Sequence, residues 1–274
     1  MQAQLNQFML DVSAYPSALY AFLFLIGLSL GSFINVVIYR LPIMIENSAQ
    51  TRFNLMVPRS CCPHCKTMIL AKDNIPLVSF LNLQGKCRAC KTPISWRYPL
   101  VELISGLLLV YLAHHFSNLS LALSIYTFVM TLIALTLIDW GTQLLPNALT
   151  FPLIGLGLFI NYHGLLTDFE SAWIGAITGY FILWSIYCGF KLMTGKEGMG
   201  YGDFKLLSGI GAWLGWQALL PTIIISSLLG SVIGLGLIYF KKQESDLPIP
   251  FGPFLSLAGI ICLLTDNIFA KIYL

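Results

Sequence analysis

The sequence predicts an all-α polytopic membrane protein of about eight transmembrane helices, with a small zinc-ribbon-like cytoplasmic insert. Three observations lead there. Of 274 residues, 57% are hydrophobic and only 10% are charged, whereas soluble domains carry roughly 25% charged residues. Long stretches such as 103–138 and 206–240 contain no Lys, Arg, Asp or Glu. Nine of the 15 Lys and Arg residues and five of the seven cysteines crowd into residues 40–98. A folded chain this poor in charge cannot cover its surface in water. Ordinary cytosolic enzymes, disordered regulators and nucleic-acid binders are thereby excluded, and the lipid bilayer is the expected partner.

The elements follow in order. Residues 1–17 hold Asp11 and no Lys or Arg. A secretory signal peptide needs a basic start, so a periplasmic N-terminus is expected, followed by a retained first transmembrane helix at 18–39. That run is long enough for about 30 Å of hydrocarbon at about 1.5 Å per residue. Residues 40–98 read as a cytoplasmic four-Cys metal-binding insert. Pro99–Ile138 carries Glu102 as its only charge and breaks at His114–Asn118 into the second and third spans. The fourth runs from Leu144 to Tyr162 and the fifth from Ala172 to Phe190. After the polar segment Lys191–Lys205, the stretch Leu206–Phe240 divides at Gly215–Pro221 into the sixth and seventh, and Phe251–Phe269 is the eighth. The 23 glycines suit close helix packing in lipid. No internal repeat of 20–50 residues is evident.

Basic residues set the orientation. With the N-terminus outside and eight crossings, the inner loops hold 14 of the 15 Lys and Arg residues, and only Lys271 falls outside. The reverse orientation strands those 14 on the translocated side.

Within the insert, Cys62-Pro-His-Cys65 and Cys87-Arg-Ala-Cys90 are two Cys-x-x-Cys hooks with 21 residues between them. Each hook brings two thiolates to one ion, and two hooks complete a four-sulfur tetrahedron with no open position. Structural zinc is the expected metal, with another soft metal as alternative. The nearby Lys66, Lys72, Lys86, Arg88 and Lys91 offset the charge of four thiolates. Disulfides rarely persist in the cytoplasm, and a redox motif needs one hook rather than two. His64 reads as a spacer, Cys61 is an alternative donor to Cys62, and Cys188 and Cys262 read as packed apolar residues.

Two aspartates lie at span ends, Asp139 in Leu137-Ile138-Asp139-Trp140 and Asp203 in Gly200-Tyr201-Gly202-Asp203. The charge-derived topology puts both at the cytoplasmic face. Two carboxylates brought together cannot both stay ionised. A pair sharing one proton activates water as a base and protonates a leaving group as an acid. Gly200 and Gly202 would let a peptide backbone approach. The spacing alone favours the plainer reading, in which each Asp caps a helix at the interface. Glu102 is a third intramembrane carboxylate, a functional suspect by default or a helix-start acid satisfied by Arg97 or the helix dipole.

Several segments together resemble the type IV prepilin peptidases, bacterial inner-membrane leader peptidases that also methylate the new N-terminus. They are Gly31-Ser-Phe-Ile-Asn-Val-Val-Ile-Tyr-Arg-Leu-Pro42, both Cys hooks, and Ile94-Ser-Trp-Arg-Tyr-Pro-Leu-Val-Glu102. The Asp139 segment ending in Leu145-Pro146-Asn147 follows, then Gly200-Tyr-Gly-Asp-Phe-Lys205 and Pro250-Phe-Gly-Pro-Phe-Leu255. The blocks run in order over nearly the whole chain.

The resemblance implies that Asp139 and Asp203 are the catalytic aspartates, that Gly200 and Gly202 belong to the Gly-x-Gly-Asp motif, and that 99–274 is the transmembrane helical catalytic domain. It implies cleavage of a basic leader from type IV prepilins and pseudopilins, after a Gly, at the cytoplasmic face of the inner membrane. The four-Cys insert resembles that of the bifunctional branch, which uses S-adenosylmethionine to methylate the exposed residue. No Gly-x-Gly-x-x-Gly Rossmann fingerprint is present, and the cofactor-binding residues are not legible. Asn147 departs from the pattern, since many relatives carry Asp there. The alternative from another class is a proton- or cation-coupled transporter using Asp139, Asp203 and Glu102. A thiol oxidoreductase is disfavoured by the cytoplasmic placement of the hooks. A zinc protease is disfavoured by a closed four-thiolate site and the lack of His-Glu-x-x-His.

Overall fold

The structure, a computed structural model, describes residues 16–46, 53–196, 198–241 and 249–265. The expected N-terminal segment before residue 16, and the basic residues Arg52, Lys242 and Lys271, lie outside the described residues. Among the described residues the chain forms nine α-helices and no strand. They are α1 (Pro16–Glu46), α2 (Val78–Asn82), α3 (Arg97–His115), α4 (Leu119–Thr142), α5 (Asn147–Tyr162), α6 (Phe169–Thr194), α7 (Tyr201–Leu214), α8 (Leu219–Lys241) and α9 (Gly252–Thr265). All but the five-residue α2, which lies in the insert, fall where the sequence predicts spans. Five segments, Ser17–Glu46, α3, α4, α6 and Trp216–Gly236, which joins the short 3-10 helix Trp216–Ala218 to α8, are long and apolar enough to cross a membrane, while α5 and α9 are shorter apolar helices.

Two boundaries differ from the sequence reading for physical reasons. The first helix outruns its expected end at Tyr39 and continues through Pro42 to Glu46. Its continuation is still apolar, and Arg40 is buried rather than marking an exit into water. The sixth span begins at Tyr201, so Asp203 lies in the first helical turn rather than in the preceding loop. Gly200 supplies the extended N-cap backbone (φ −84°, ψ 148°), and an acid in a first helical turn suits the helix dipole.

The chain divides into two compact units, 1–126 and 127–274, with the boundary inside α4. In the first, α1 and α3 run antiparallel at close range. A Cβ on Gly27 would lie 2.7 Å from Gly106 Cα, and one on Gly31 would lie 2.8 Å from Glu102 Cα. The Ser105 hydroxyl donates to the Gly27 carbonyl and pairs with the Tyr126 hydroxyl at 2.7 Å. Asn35 donates from Nδ2 to the Tyr98 carbonyl at 3.0 Å.

The second unit is built around α7, whose residues from Leu206 to Leu214 are all buried. The Gly175-x-x-x-Gly179 face of α6 lets its backbone press against that of α7, Gly175 against Gly211 and Gly179 against Leu207. Such small-residue faces are how helices associate where lipid offers no hydrophobic drive. On the α5 side the Trp213 indole donates to the Leu153 carbonyl at 2.7 Å. Asn161 Nδ2 donates to the Ala212 and Trp213 carbonyls at 2.9 and 3.0 Å, satisfying carbonyls that the end of α7 leaves without helical partners. α9 closes the unit, with Gly259 against Ile210 of α7. It is also joined to α8 by the Thr222 hydroxyl and Cys262 Sγ at 3.4 Å.

Candidate active site

In the second unit α4 ends and α7 begins at a common place. Asp139 sits in the last turn of α4 and Asp203 in the first turn of α7. Their relative exposures are only 5% and 6%. Asp203 lies within electrostatic reach of Asp139, and among the described residues no Lys, Arg or His is paired with either. Two uncompensated carboxylates held close in a buried place are costly, a cost that two separate helix caps would not carry.

A third element orients the pair. The backbone N–H of Gly252, at the start of α9, donates to Asp139 Oδ2 at 3.0 Å. A Cβ at residue 252 would lie 2.6 Å from that oxygen, so only glycine brings its amide so close. Gly252 stands in the Pro250-Phe251-Gly252-Pro253 segment, yet its role was not legible there, because a backbone donor leaves no side-chain mark. Leu145 packs between this segment and the Gly-x-Gly-Asp turn. Cβ atoms on Gly202 and Gly252 would fall 2.6 Å from Leu145 Cβ and 3.3 Å from its Cδ1. Gly202 is thus small because Leu145 fills the space above it. Gly200 is more open, a Cβ there lying 3.7 Å from Asp203 Oδ2.

Asn147, the departure from the resembled pattern, accepts from Lys205 Nζ at 2.7 Å. The amide thus ties the start of α5 to α7 two residues beyond Asp203. A carboxylate there would make the same link as an ion pair, so the difference leaves the geometry of the two aspartates intact.

In the first unit Cys62, Cys65, Cys87 and Cys90 converge, their Sγ atoms all within 4.8 Å of one another. Cys62 and Cys90 Sγ are 3.8 Å apart, which is about the edge of a sulfur tetrahedron around a metal at about 2.3 Å. Cys61 stands outside the cluster, in an isolated bridge with Met68, and His64 contributes no ligand atom to it.

The hooks are two copies of one knuckle. Cys-x-x-Cys-Lys-Thr occurs at 62–67 and again at 87–92. In both, the first Cys N–H bonds the Thr carbonyl (3.0 and 2.9 Å) and the Lys N–H bonds the first Cys carbonyl (2.9 and 3.0 Å). Both lysines have positive φ, 58° and 59°. This short repeat was missed in the sequence because it spans only six residues. The Thr92 hydroxyl and amide beside Cys90 bring its thiol down to about 6, and Thr67 likewise lowers Cys65. Both sulfurs are therefore readily available as thiolate ligands. Between residues 53 and 96 only Cys62 and Ser79 are buried, so the insert has almost no apolar core. One bidentate pair, Arg88 with Asp73 at 2.7 and 2.8 Å, braces the second knuckle against the loop between the hooks and holds the Asp73 carboxyl below its usual range.

Beside the second knuckle is a groove of about 380 Å³ lined by Phe80, Leu81, Gln84, Gly85, Lys86, Pro93, Ile94 and Trp96.

Comparison with known proteins matches this layout. Residues 25–116 match the family model described as the bacterial peptidase A24 N-terminal domain. Residues 126–235 match that of the type IV leader peptidase family. A relative from Aeromonas hydrophila is 48% identical over 94% of this chain and 95% of its own length.

The chain belongs to the type IV leader peptidase family.

Relatives from Stutzerimonas stutzeri and Pseudomonas aeruginosa are 48% and 45% identical, each over 96% of both chains. All three are named prepilin leader peptidase/N-methyltransferase. No solved structure matches the chain. The two family models fall one on each unit of this leader peptidase family member, and the transporter alternative finds no support in these relatives.

Proposed function

We propose that this chain removes the leader peptide from type IV prepilins and pseudopilins and then N-methylates the residue exposed. The observation that carries the first half is the buried Asp139 and Asp203 with the Gly252 amide on Asp139. A carboxyl pair sharing one proton can do both halves of peptide hydrolysis. One carboxylate takes a proton from water, whose oxygen forms a bond to the scissile carbonyl carbon. The other carboxyl gives its proton to the departing amine as the C–N bond breaks. No acyl-enzyme forms. Gly252 holds the Asp139 carboxylate in one orientation throughout. The charge pattern favours a multi-pass inner-membrane protein with both aspartates at the cytoplasmic face.

Methyl transfer is assigned to the first unit, which carries the insert and lies outside the segment matching the leader peptidase model. Zinc is the ion that suits the four thiolates. It would order the insert and, with all four positions filled, offer no site for substrate. S-adenosylmethionine would supply the methyl group. The groove beside the second knuckle suits it, since Phe80 and Trp96 offer ring faces on which a planar base stacks or a sulfonium is held.

The test is the purified full chain in detergent with a prepilin bearing an intact leader. Product masses are read with and without S-adenosylmethionine. Loss of the leader, with one added methyl only when the donor is present, supports the reading. An unaltered prepilin contradicts it. Gly252→Ala is expected to lower kcat/KM for cleavage by about 100-fold, because a displaced carboxylate loses near-attack geometry. The same assay checks it, with unchanged metal content as control.

A further inference from the structure

Two charged side chains of the first unit take no part in either site, and both reach from the apolar helices to the backbone of the insert. Arg40 of α1 is buried and donates to three carbonyls, Asn54 at 2.9 Å, Leu55 at 3.3 Å and Pro58 at 2.6 Å. Glu102 of α3, 8% exposed, accepts the Leu77 N–H at Oε2, 2.9 Å. The expected partner, Arg97, is not paired with it, and Arg97 Nε is buried without a hydrogen bond. Among the described residues neither Arg40 nor Glu102 meets an opposite charge. A buried ion without a counter-ion is costly; insert carbonyls and the Phe53 ring receive Arg40, while Glu102 is met by the Leu77 N–H of the insert and by the Ser32 side chain of α1.

The place that Glu102 grips is strained. Leu77 has φ 57° and ψ −49°, a backbone conformation that an L-residue rarely adopts. Such strain survives only where the surroundings over-determine the chain. Here the Ile75 N–H donates to Ser79 Oγ at 2.9 Å and that hydroxyl donates to the Lys72 carbonyl at 3.0 Å. Leu77 offers no side-chain cap to α2, and the Glu102 carboxylate accepts the N–H of that N-cap residue itself. From α2 the chain passes to Gly85, whose N–H bonds the Phe80 carbonyl at 2.8 Å and whose carbonyl takes the Ile94 N–H at 2.7 Å. Those bonds frame the second knuckle. Arg40 holds residues 54–58 just before the first knuckle at Cys62, and Glu102 holds Leu77 ahead of the second at Cys87. With almost no buried side chains of its own, the insert depends on these two anchors for its register on α1 and α3.

We propose that Glu102 is a positioning residue: with Arg40 it latches the cysteine-rich insert to α1 and α3, and the register so set is required for methyl transfer but not for leader cleavage. The second clause rests on the assignment of methyl transfer to the first unit.

Two mild substitutions separate reach from charge. Glu102→Gln keeps an acceptor oxygen at the same distance and loses the charge. Glu102→Asp keeps the charge but falls one methylene short of Leu77. Full-length protein in detergent is followed by amide hydrogen exchange over residues 75–83, by zinc content, and by the cleaved and methylated masses of a prepilin. Losing a charge-assisted hydrogen bond is expected to make Glu102→Asp exchange about tenfold faster there and to cut the methylated fraction about tenfold. Cleavage stays within about twofold and zinc is retained, since neither the dyad nor the thiolates move. Glu102→Gln keeps protection and methylation within about threefold of wild type. The latch is overturned if Glu102→Asp matches wild type in exchange and methylation. It is equally overturned if Glu102→Gln is the more damaged of the two, or if cleavage falls in step with methylation. Wild type that cleaves but never methylates overturns the assignment of methyl transfer instead, and the exchange comparison still decides the latch.

Discussion

Asp139→Asn and Asp203→Asn are each expected to lower leader cleavage at least about 10³-fold, since each removes a general acid–base group whose partner cannot act alone. The double variant should be within a fewfold of either single one, because residues acting as a unit are not additive. The fold should tolerate the changes. Asn at 139 still presents an oxygen to the Gly252 N–H now held at 3.0 Å, and losing one carboxyl removes the buried negative charge that a proton-sharing pair carries. Thermal stability should therefore equal or exceed that of wild type, the usual relation between strained sites and activity. Measured kcat/KM beside thermal midpoints checks both halves. Losses of only a few-fold, or losses that multiply in the double variant, would speak against a shared-proton mechanism.

Cys62→Ser or Cys87→Ser should have the second large effect, on the other unit. Structural zinc contributes about 10–16 kcal/mol in small finger-like units, and between residues 53 and 96 only Cys62 and Ser79 are buried to replace it. Each variant is expected to drop from one zinc per chain to nearly none. Protease should then cut within the insert, and methyl transfer should fall by about 100-fold or more. Leader cleavage should suffer much less. Elemental analysis with timed proteolysis checks this, and zinc retained at one per chain in Cys87→Ser would show that the four sulfurs are not the ligands.

The parts of this molecule that announce themselves in sequence are those carried by composition and by side chains. Uncharged stretches such as 206–240 cannot be anything but buried or lipid-facing, so the helices fall where expected. Paired Cys-x-x-Cys hooks and the two isolated aspartates are visible because their chemistry is unusual in apolar surroundings. What stayed hidden is carried by backbone. The Gly252 amide on Asp139 links residues far apart in the chain, and the Leu77 amide on Glu102 does the same for the insert. Arg97, the sequence-local candidate partner of Glu102, is not its partner. Nor does charge mark the helix ends. Arg40 is buried inside a continuing helix because carbonyls of 54–58 receive it. Asp203 lies in the first turn of a helix whose N-cap is Gly200, and its carboxyl accepts a backbone hydrogen bond from that glycine.

Cleavage and methylation should use different residues in different units. The direct measurement supplies each variant with a pilin already lacking its leader, together with S-adenosylmethionine, and reads the added methyl by mass. Asp203→Asn should methylate this substrate at close to the wild-type rate although it cannot cut a prepilin, while Cys87→Ser should fail to methylate it. If Asp203→Asn fails on the leaderless pilin, or Cys87→Ser methylates it normally, the two activities are not divided in this way.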